Sequence, residues 1–293
     1  MMETKAGGKV KQALLILLAV INVVTFSSFE AEPIFSPVYA MQELPQVDAS
    51  AEVPPEQEEE TYVPILMYHN INDQYDPANA SVEMSQEDFR EQMETLKEAG
   101  YTTITFEEYL DYDNGLAELP DKPIMINFDD GYLNNYTRAY PILKELGMKA
   151  TIFVITGRMG MSGGVTYPHF TWEQAKIMED SGVIDIESHT NFHNNLKDVS
   201  LETAIQELRK SKYLIQKNLG KDATVLAYPY GDFTEEVKQA AIDAGYLAAV
   251  KVKLGNPGVN RKGQDVYELK RLTVYGGMTG EQLLELIQEN KDW

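Results

Sequence analysis

The sequence predicts an α/β fold, a single domain whose seven or eight parallel strands close, or nearly close, into a barrel. Apolar, β-prone runs alternate with amphipathic helical patterns from residue 62 onward. Glycines stand just past the ends of several helical patterns, where a left-handed residue commonly ends a helix. Strands that alternate with helices in this way are typical of a parallel sheet covered by helices. No internal repeat or second domain is visible in the sequence.

Eight runs have the length and composition of buried strands. In chain order these candidate strands cover residues 63–68, 101–105, 123–128, 150–155, 183–187, 224–228, 246–250 and 269–274. The first helical pattern opens at Ser85 as the N-cap, has Asp88 at its third helical position, and closes at Gly100. The other helical patterns cover residues 136–146, 172–181, 200–218, 234–244 and 279–290.

The first 40 residues have the features of an export leader. Lys5, Lys9 and Lys11 precede an apolar stretch at residues 13–24. This stretch is short for a membrane-spanning helix, which needs about 20 apolar residues. A small-residue cleavage site ends at Ala40, well beyond the apolar stretch. We therefore expect residues 1–40 to be a signal peptide or an uncleaved membrane anchor. The folded part is then extracellular or held at the outer face of the cell membrane.

Charge separates the leader from the folded part. Residues 1–29 carry a net charge of +2, and residues 30–60 hold nine acids and no lysine or arginine. We interpret residues 41–60 as an acidic, Pro/Glu-rich linker. Because the whole chain has a net charge of −21, residues 61–293 carry −14. That charge argues against nucleic acid as a partner. The chain has no cysteine, which excludes thiolate catalysis and Cys-bound zinc. We expect a monomer that contacts the membrane only through its N-terminal segment.

Polar side chains follow four of the predicted strands. His69 follows the first strand, Asp129 and Asp130 the third, and His189 the fifth, while residues 228–231 end the sixth. In parallel barrels the C-terminal ends of the strands carry the chemistry. The agreement of four separate strand ends therefore predicts one site at this end of the barrel.

The residue types at these strand ends fit a catalytic metal site. Histidines four apart, His189 and His193, point the same way if the segment after the strand is helical. With one carboxylate they form a set that leaves coordination positions open, as catalytic metals require. The second carboxylate of the Asp129–Asp130 pair then remains as a base. Two other readings stay open here: ordinary loop histidines, and an Asp-Asp-Gly turn.

The motifs resemble those of a known family. Residues 127–131 (NFDDG), 189–193 (HTNFH) and 228–231 (YPYG) are similar, in this order, to the first three motifs of the polysaccharide deacetylases. These form the NodB-homology domain, or carbohydrate esterase family 4. The resemblance covers about residues 61–293, the predicted catalytic domain. It implies a distorted (β/α) barrel, a glycan substrate and a divalent metal ion.

The resemblance also implies roles for single residues. Asp129 would be the general base, and Asp130, His189 and His193 would hold the metal. Zinc is the first expectation for this ligand set, with cobalt, nickel or iron as alternatives. The developing oxyanion would be held by the metal and by the backbone N–H of Tyr230, which follows Pro229 in the third motif.

Three positions depart from the family pattern. Asn127 stands where the family usually has Thr or Ser, and Ala227 stands where it usually has the arginine that orients the base. The last strand is followed by Tyr275 and not by the histidine that serves as general acid. The usual proton donor and the usual partner of the base are therefore missing from their usual places.

Substitutes for both are available elsewhere. Residues 64–70 (PILMYHN) and 96–101 (LKEAGY) resemble the biofilm poly-β-1,6-N-acetylglucosamine deacetylases. That resemblance implies His69 as the general acid; the alternative is a histidine stacked on core aromatics. Arg271, on the last strand, is a candidate partner of Asp129, against the alternative of an ordinary surface or ion-paired arginine.

The remaining aromatic and histidine candidates are weaker. His169 is expected at a loop tip or in the wall of the groove and not as a ligand. Trp172 and Tyr228 either line a sugar groove or pack in the core.

Together these observations predict an exported, metal-dependent hydrolase that removes N-acetyl groups from a polymer of N-acetylglucosamine and releases acetate. Two alternatives stay open. The same site could act on O-acetyl esters of xylan, or on peptidoglycan or chitin. In a different class, the missing arginine and histidine could mark a carbohydrate-binding protein with impaired turnover.

Overall fold

The computed structural model describes residues 61–73, 75–252 and 260–291. The predicted leader, 1–40, and the predicted linker, 41–60, lie outside these residues. In the described part, none of the helices combines the length and the apolar character that crossing a bilayer requires.

Eleven short strands and seven α-helices make up the described chain. The strands are β1 (Ile65–Tyr68), β2 (Asn70–Asn72), β3 (Glu83–Ser85), β4 (Thr102–Thr103), β5 (Pro123–Phe128), β6 (Ala150–Val154), β7 (Ile184–Ser188), β8 (Val225–Ala227), β9 (Ala248–Lys251), β10 (Leu269–Lys270) and β11 (Leu272–Thr273). The α-helices are α1 (Gln86–Glu98), α2 (Phe106–Asp113), α3 (Tyr140–Leu146), α4 (Trp172–Asp180), α5 (Leu201–Leu219), α6 (Glu235–Asp243) and α7 (Gly280–Glu289).

The main sheet is parallel and nearly closed into a barrel. Its strands follow the order β10-β9-β8-β7-β6-β5-β1-β11, and β4 pairs with the start of β5. The two outermost strands are neighbours in the chain, because only Arg271 separates them. Leu269 pairs with Val250 of β9, and Leu272 pairs with Leu66 of β1. The segment 269–273 therefore joins both edges of the sheet and puts Arg271 at the seam.

Alternate residues of the strands enter two different apolar clusters. On β5, Ile124, Ile126 and Phe128 pack with residues of the surrounding helices, whereas Met125 joins a second cluster inside the barrel. Helix α2 contributes Phe106 to the inner cluster, where its ring meets Phe153 of β6 edge-on at 5.9 Å. The period-2 pattern of the strands thus separates the barrel interior from the helical layer.

The predicted barrel is confirmed, with three local differences. The predicted strand 101–105 shrinks to two residues, because Thr105 caps α2 in a capping box with Glu108. The predicted last strand, 269–274, is interrupted at Arg271. The predicted helix 136–146 contains a π-helical stretch, Asn135–Ala139, followed by α3. Helix α2 and the small β2–β3 sheet were not predicted.

Candidate active site

The predicted site residues meet where β5 and β7 end. Four residues here have positive φ although none is glycine: Asp130 (74°), Thr190 (65°), His193 (62°) and Tyr230 (63°). Non-glycine residues rarely adopt this region, and each such residue costs about 1–3 kcal/mol. Only one further described residue, Lys122, has a positive φ without being glycine. Backbone strain is therefore concentrated around the candidate site.

Asp130, His189 and His193 form a compact group of three metal-ligand types. Each offers one ligand atom, and these atoms lie within 4.8 Å of one another. Asp130 Oδ1 is 3.8 Å from His189 Nε2 and 3.6 Å from His193 Nε2. His189 Nδ1 lies 2.7 Å from the carbonyl oxygen of Ala227. A proton on Nδ1 is donated to that oxygen, which leaves the lone pair of Nε2 facing the group. The donor set therefore fits a divalent metal ion with open positions.

The protonation of this group also suits a metal. Burial, together with the neighbouring His189, lowers the pKa of His193 to about 4, so its imidazole is neutral at physiological pH. Burial acts to raise the pKa of Asp130, but His189, His69 and His193 outweigh it, and the pKa falls below its usual range. Tyr132 adds a hydrogen bond to the Asp130 carboxylate. A carboxylate and neutral imidazoles are the forms that bind metal.

Glu207 of α5 fixes the loop that carries both histidines. Its buried carboxylate accepts the backbone N–H groups of Asn191 at 3.0 Å and Phe192 at 2.7 Å. It also accepts the side-chain amide of Asn194 at 3.2 Å. These three bonds hold the strained loop in one conformation. Reasoning from the sequence missed Glu207, because a glutamate within a helix pattern carries no signal for a distant loop.

Asp129 and Arg271 form a buried bidentate ion pair. The Nη1–Oδ1 distance is 2.6 Å and the Nη2–Oδ2 distance is 2.8 Å. Both residues are almost fully buried, at 3% and 1% exposure. Burial acts to raise the pKa of Asp129, yet the charge of Arg271 outweighs it and lowers the pKa well below the usual range. The structure therefore places Arg271 directly against the candidate base; its role in the reaction stays a prediction.

The other predicted site residues surround this centre. His69 follows β1, is half-buried, and is close enough to Asp129 and Asp130 for its charge to act on both. Its carbonyl oxygen accepts a hydrogen bond from Asn135 at 2.7 Å. Tyr230 is exposed and meets the His193 ring edge-on at 4.8 Å, while Pro229 before it is buried.

Two aromatic side chains and one histidine occupy less direct positions. Tyr228 is fully buried and stacks on Phe233 at 4.3 Å, so of the two alternatives it packs in the core. Trp172 is half-buried and packs against the main core. His169 is also buried, so it is no loop tip, and its ring lies 5.1 Å from that of Tyr132. It stands outside the metal-ligand group.

The chain is similar to proteins of a known family. The family model of polysaccharide deacetylases matches residues 117–249. YxkH of Bacillus subtilis, whose name assigns it to the polysaccharide deacetylases, is 37% identical over 232 residues, which cover 78% of this chain and 77% of YxkH. The chain therefore belongs to the polysaccharide deacetylase family.

Two further relatives are named deacetylases. A poly-β-1,6-N-acetyl-D-glucosamine N-deacetylase of Staphylococcus aureus is 32% identical over 185 residues, which cover 59% of this chain and 63% of that protein. The solved structure of the Streptococcus pyogenes deacetylase PplD in complex with acetate superimposes on this chain with a TM-score of 0.70 at 29% identity. It covers 78% of this chain and 98% of PplD. The chain is thus related to deacetylases that include a poly-N-acetylglucosamine enzyme.

Proposed function

We propose that this protein is an exported, metal-dependent N-deacetylase that acts on a polymer of N-acetylglucosamine. The observation that carries the proposal is the arrangement of two adjacent acids with different surroundings. Asp130 belongs to a group of metal-ligand types, and Asp129 is held by Arg271 just beside it. The likeness to a poly-N-acetylglucosamine deacetylase supports this polymer as substrate. The predicted export leader supports an extracellular glycan.

Each residue of the candidate site has its own role in amide hydrolysis. When bound by Asp130, His189 and His193, a divalent metal supplies Lewis acidity to the acetyl carbonyl and the attacking water. Asp129, kept ionised and oriented by Arg271, takes the proton of that water. The backbone N–H of Tyr230 stabilises the developing oxyanion. His69 gives a proton to the departing nitrogen, so that acetate and a free amine leave. Zinc is the expected metal for two histidines and one aspartate.

Acetate release tests the proposal. Purified protein is assayed on β-1,6- and β-1,4-linked N-acetylglucosamine oligomers, acetylated xylan and peptidoglycan side by side. We expect the β-1,6 oligomers to be the best substrate, with activity lost on chelation and restored by zinc. The best release from xylan would support the O-acetyl esterase alternative. Binding without release from any substrate would support a carbohydrate-binding protein with impaired turnover.

A second experiment tests His69 as the acid. His69→Ala should lose most of kcat on an N-acetylated oligomer, since proton donation contributes about 10²–10⁴-fold. An activated acetate ester, whose leaving group needs no proton, should lose much less. Metal content and circular dichroism check that the site and fold are intact. Equal losses on both substrates would mean that His69 has a structural role and donates no proton.

A further inference from the structure

Phe192 is an exposed aromatic ring on the loop that carries His189 and His193. It lies in the chain between Asn191 and His193, and 59% of its surface is exposed. The ring packs closely against the backbone of Gly157, because a Cβ at that position would lie 2.8 Å from two ring carbons and 2.5 Å from the carbonyl oxygen of Asn191. With Glu207 holding its backbone N–H at 2.7 Å, Phe192 is both fixed and open to solvent. A fixed, exposed ring is suited to stack on another flat apolar surface, such as a face of a sugar ring.

A groove begins at Phe192 and runs along α5. It has a volume of about 630 Å³, and its lining includes Ile205, Gln206 and Tyr213 besides Asn191 and Phe192. This volume lies within the range of sites that hold small molecules. Apolar and amide side chains together can contact both the ring faces and the hydroxyl groups of a sugar. Because Asn191 and Phe192 belong to the loop that carries His189 and His193, the groove begins at this loop of the candidate active site.

The groove is also locally basic in an acidic chain. Arg209 and Lys210 line it. The one acid in the lining, Glu207, already accepts three hydrogen bonds from the loop. A protonated glucosamine unit is therefore repelled here, whereas a neutral N-acetylated unit is not.

We propose that this groove, the Phe192 groove, binds a second N-acetylated unit of the same glycan chain, beside the unit that is being deacetylated. The proposal rests on the proposed function and specifies which units of the polymer are deacetylated first. A unit is deacetylated faster when the neighbour in the groove still carries its acetyl group. The product is then a partially deacetylated polymer whose amines are spread along the chain and not gathered in blocks.

The stacking part is tested with Phe192→Ala on two substrates, an N-acetylglucosamine pentamer and a small activated acetate ester. We expect kcat/KM on the pentamer to fall roughly tenfold more than on the ester, because the ester does not reach the groove. Phe192→Tyr, which keeps the ring, should restore the pentamer rate. Ile177→Ala, on the outer face of α4 and 51% exposed, is the control and should change neither rate. Equal losses on both substrates would overturn the stacking role.

The charge part is tested with three trimers. One consists of N-acetylglucosamine only, and each of the other two has a glucosamine unit at one of its two ends. The wild-type protein should turn over the acetylated trimer faster than at least one of the two others at pH 6, where the amine is charged. The Arg209→Gln/Lys210→Gln double variant should reduce that preference. An unchanged preference would overturn the charge rule. A wild-type protein that releases no acetate from any oligomer would instead contradict the proposed function itself.

Discussion

Acidic side chains gather in two regions of the barrel, one where β5 ends and one along a cavity where β6, β7 and β8 begin. In the second region Lys221 lies 3.2 Å from Glu179 and 3.4 Å from Glu187, and it also contacts Asp185. Glu187, in addition, accepts the backbone N–H groups of Thr224 and Val225, both at 2.8 Å. One lysine thus contacts all three acids, and burial together with Asp185 raises the pKa of Glu187, which favours its neutral form.

The region where β5 ends is neutralised only in part. Arg271 pairs with Asp129, but in the described residues no lysine or arginine forms a salt bridge with Asp130. Asp130 instead faces the nitrogen atoms of His189 and His193. A buried carboxylate without a cation is costly, and a divalent ion would remove that cost. The difference between the regions is that every acid of the cluster around Lys221 contacts this lysine, whereas Asp130 contacts histidine nitrogens and, in the described residues, no lysine or arginine.

The largest effect should come from removing the carboxylate that has no cation of its own. Asp130→Ala should release the metal and lower acetate release by at least ~10³-fold, because a metal ion supplies several kcal/mol of transition-state stabilisation. Elemental analysis measures the metal directly. If Asp130→Ala keeps stoichiometric metal, the assignment of this residue as a ligand is wrong.

Asp129→Asn should remove the general base and leave metal binding unchanged. The amide cannot accept the proton of the attacking water, so kcat should fall by about 10²–10⁴-fold while metal content is unchanged. Acetate release and elemental analysis on the same preparation test this. Near-normal kcat in this variant would mean that the roles of Asp129 and Asp130 are exchanged or misassigned.

Arg271→Met should damage stability and activity together. It leaves the buried Asp129 carboxylate without its partner, which costs about 3–5 kcal/mol of unfolding free energy in comparable pairs. Urea denaturation gives that value. The double variant Asp129→Asn/Arg271→Met should be less destabilised than the sum of the two single variants, because no buried charge remains. Strictly additive losses would show that the pair does not interact energetically.

Lys221→Met should produce the smallest effect and only on stability. It removes the shared cation of Glu179, Asp185 and Glu187, and we expect a loss of roughly 1–3 kcal/mol with acetate release per folded molecule unchanged. Lys217→Met, at an exposed position of the last turn of α5, is the matched control. A loss of turnover in Lys221→Met would mean that the two regions are coupled.

Much of this arrangement follows from local patterns in the sequence. The strands are short apolar runs, and NFDDG and HTNFH come directly after two of them, so the position of the site could be predicted. Helix α2 was missed because it starts only three positions after the end of a two-residue strand, although Thr105 and Glu108 form a capping box that signals its start. The burial of Tyr228 under Phe233 depends on a loop whose path the local sequence does not determine.

Contacts between distant residues were harder to predict. Arg271 was a candidate only because the family arginine was missing, and its bidentate geometry depends on the interruption between β10 and β11. Glu207 and Gly157 act through the loop at residues 189–193, which neither of them adjoins in the chain. Such roles depend on register and on close backbone approach, and sequence periodicity reports neither.

The position of Arg271 at the seam of the sheet determines when the protein can become active during folding. Asp129 and Arg271 are 142 positions apart, so their pairing requires one of the longest loop closures in the domain. A chain folded only through β9 has an open barrel and a base without its cation. Docking of residues 269–273 completes the β1 edge, the β9 edge and the Asp129–Arg271 ion pair in one step. Turnover should therefore appear in refolding only when this last segment docks, and no partly folded intermediate should deacetylate glycan.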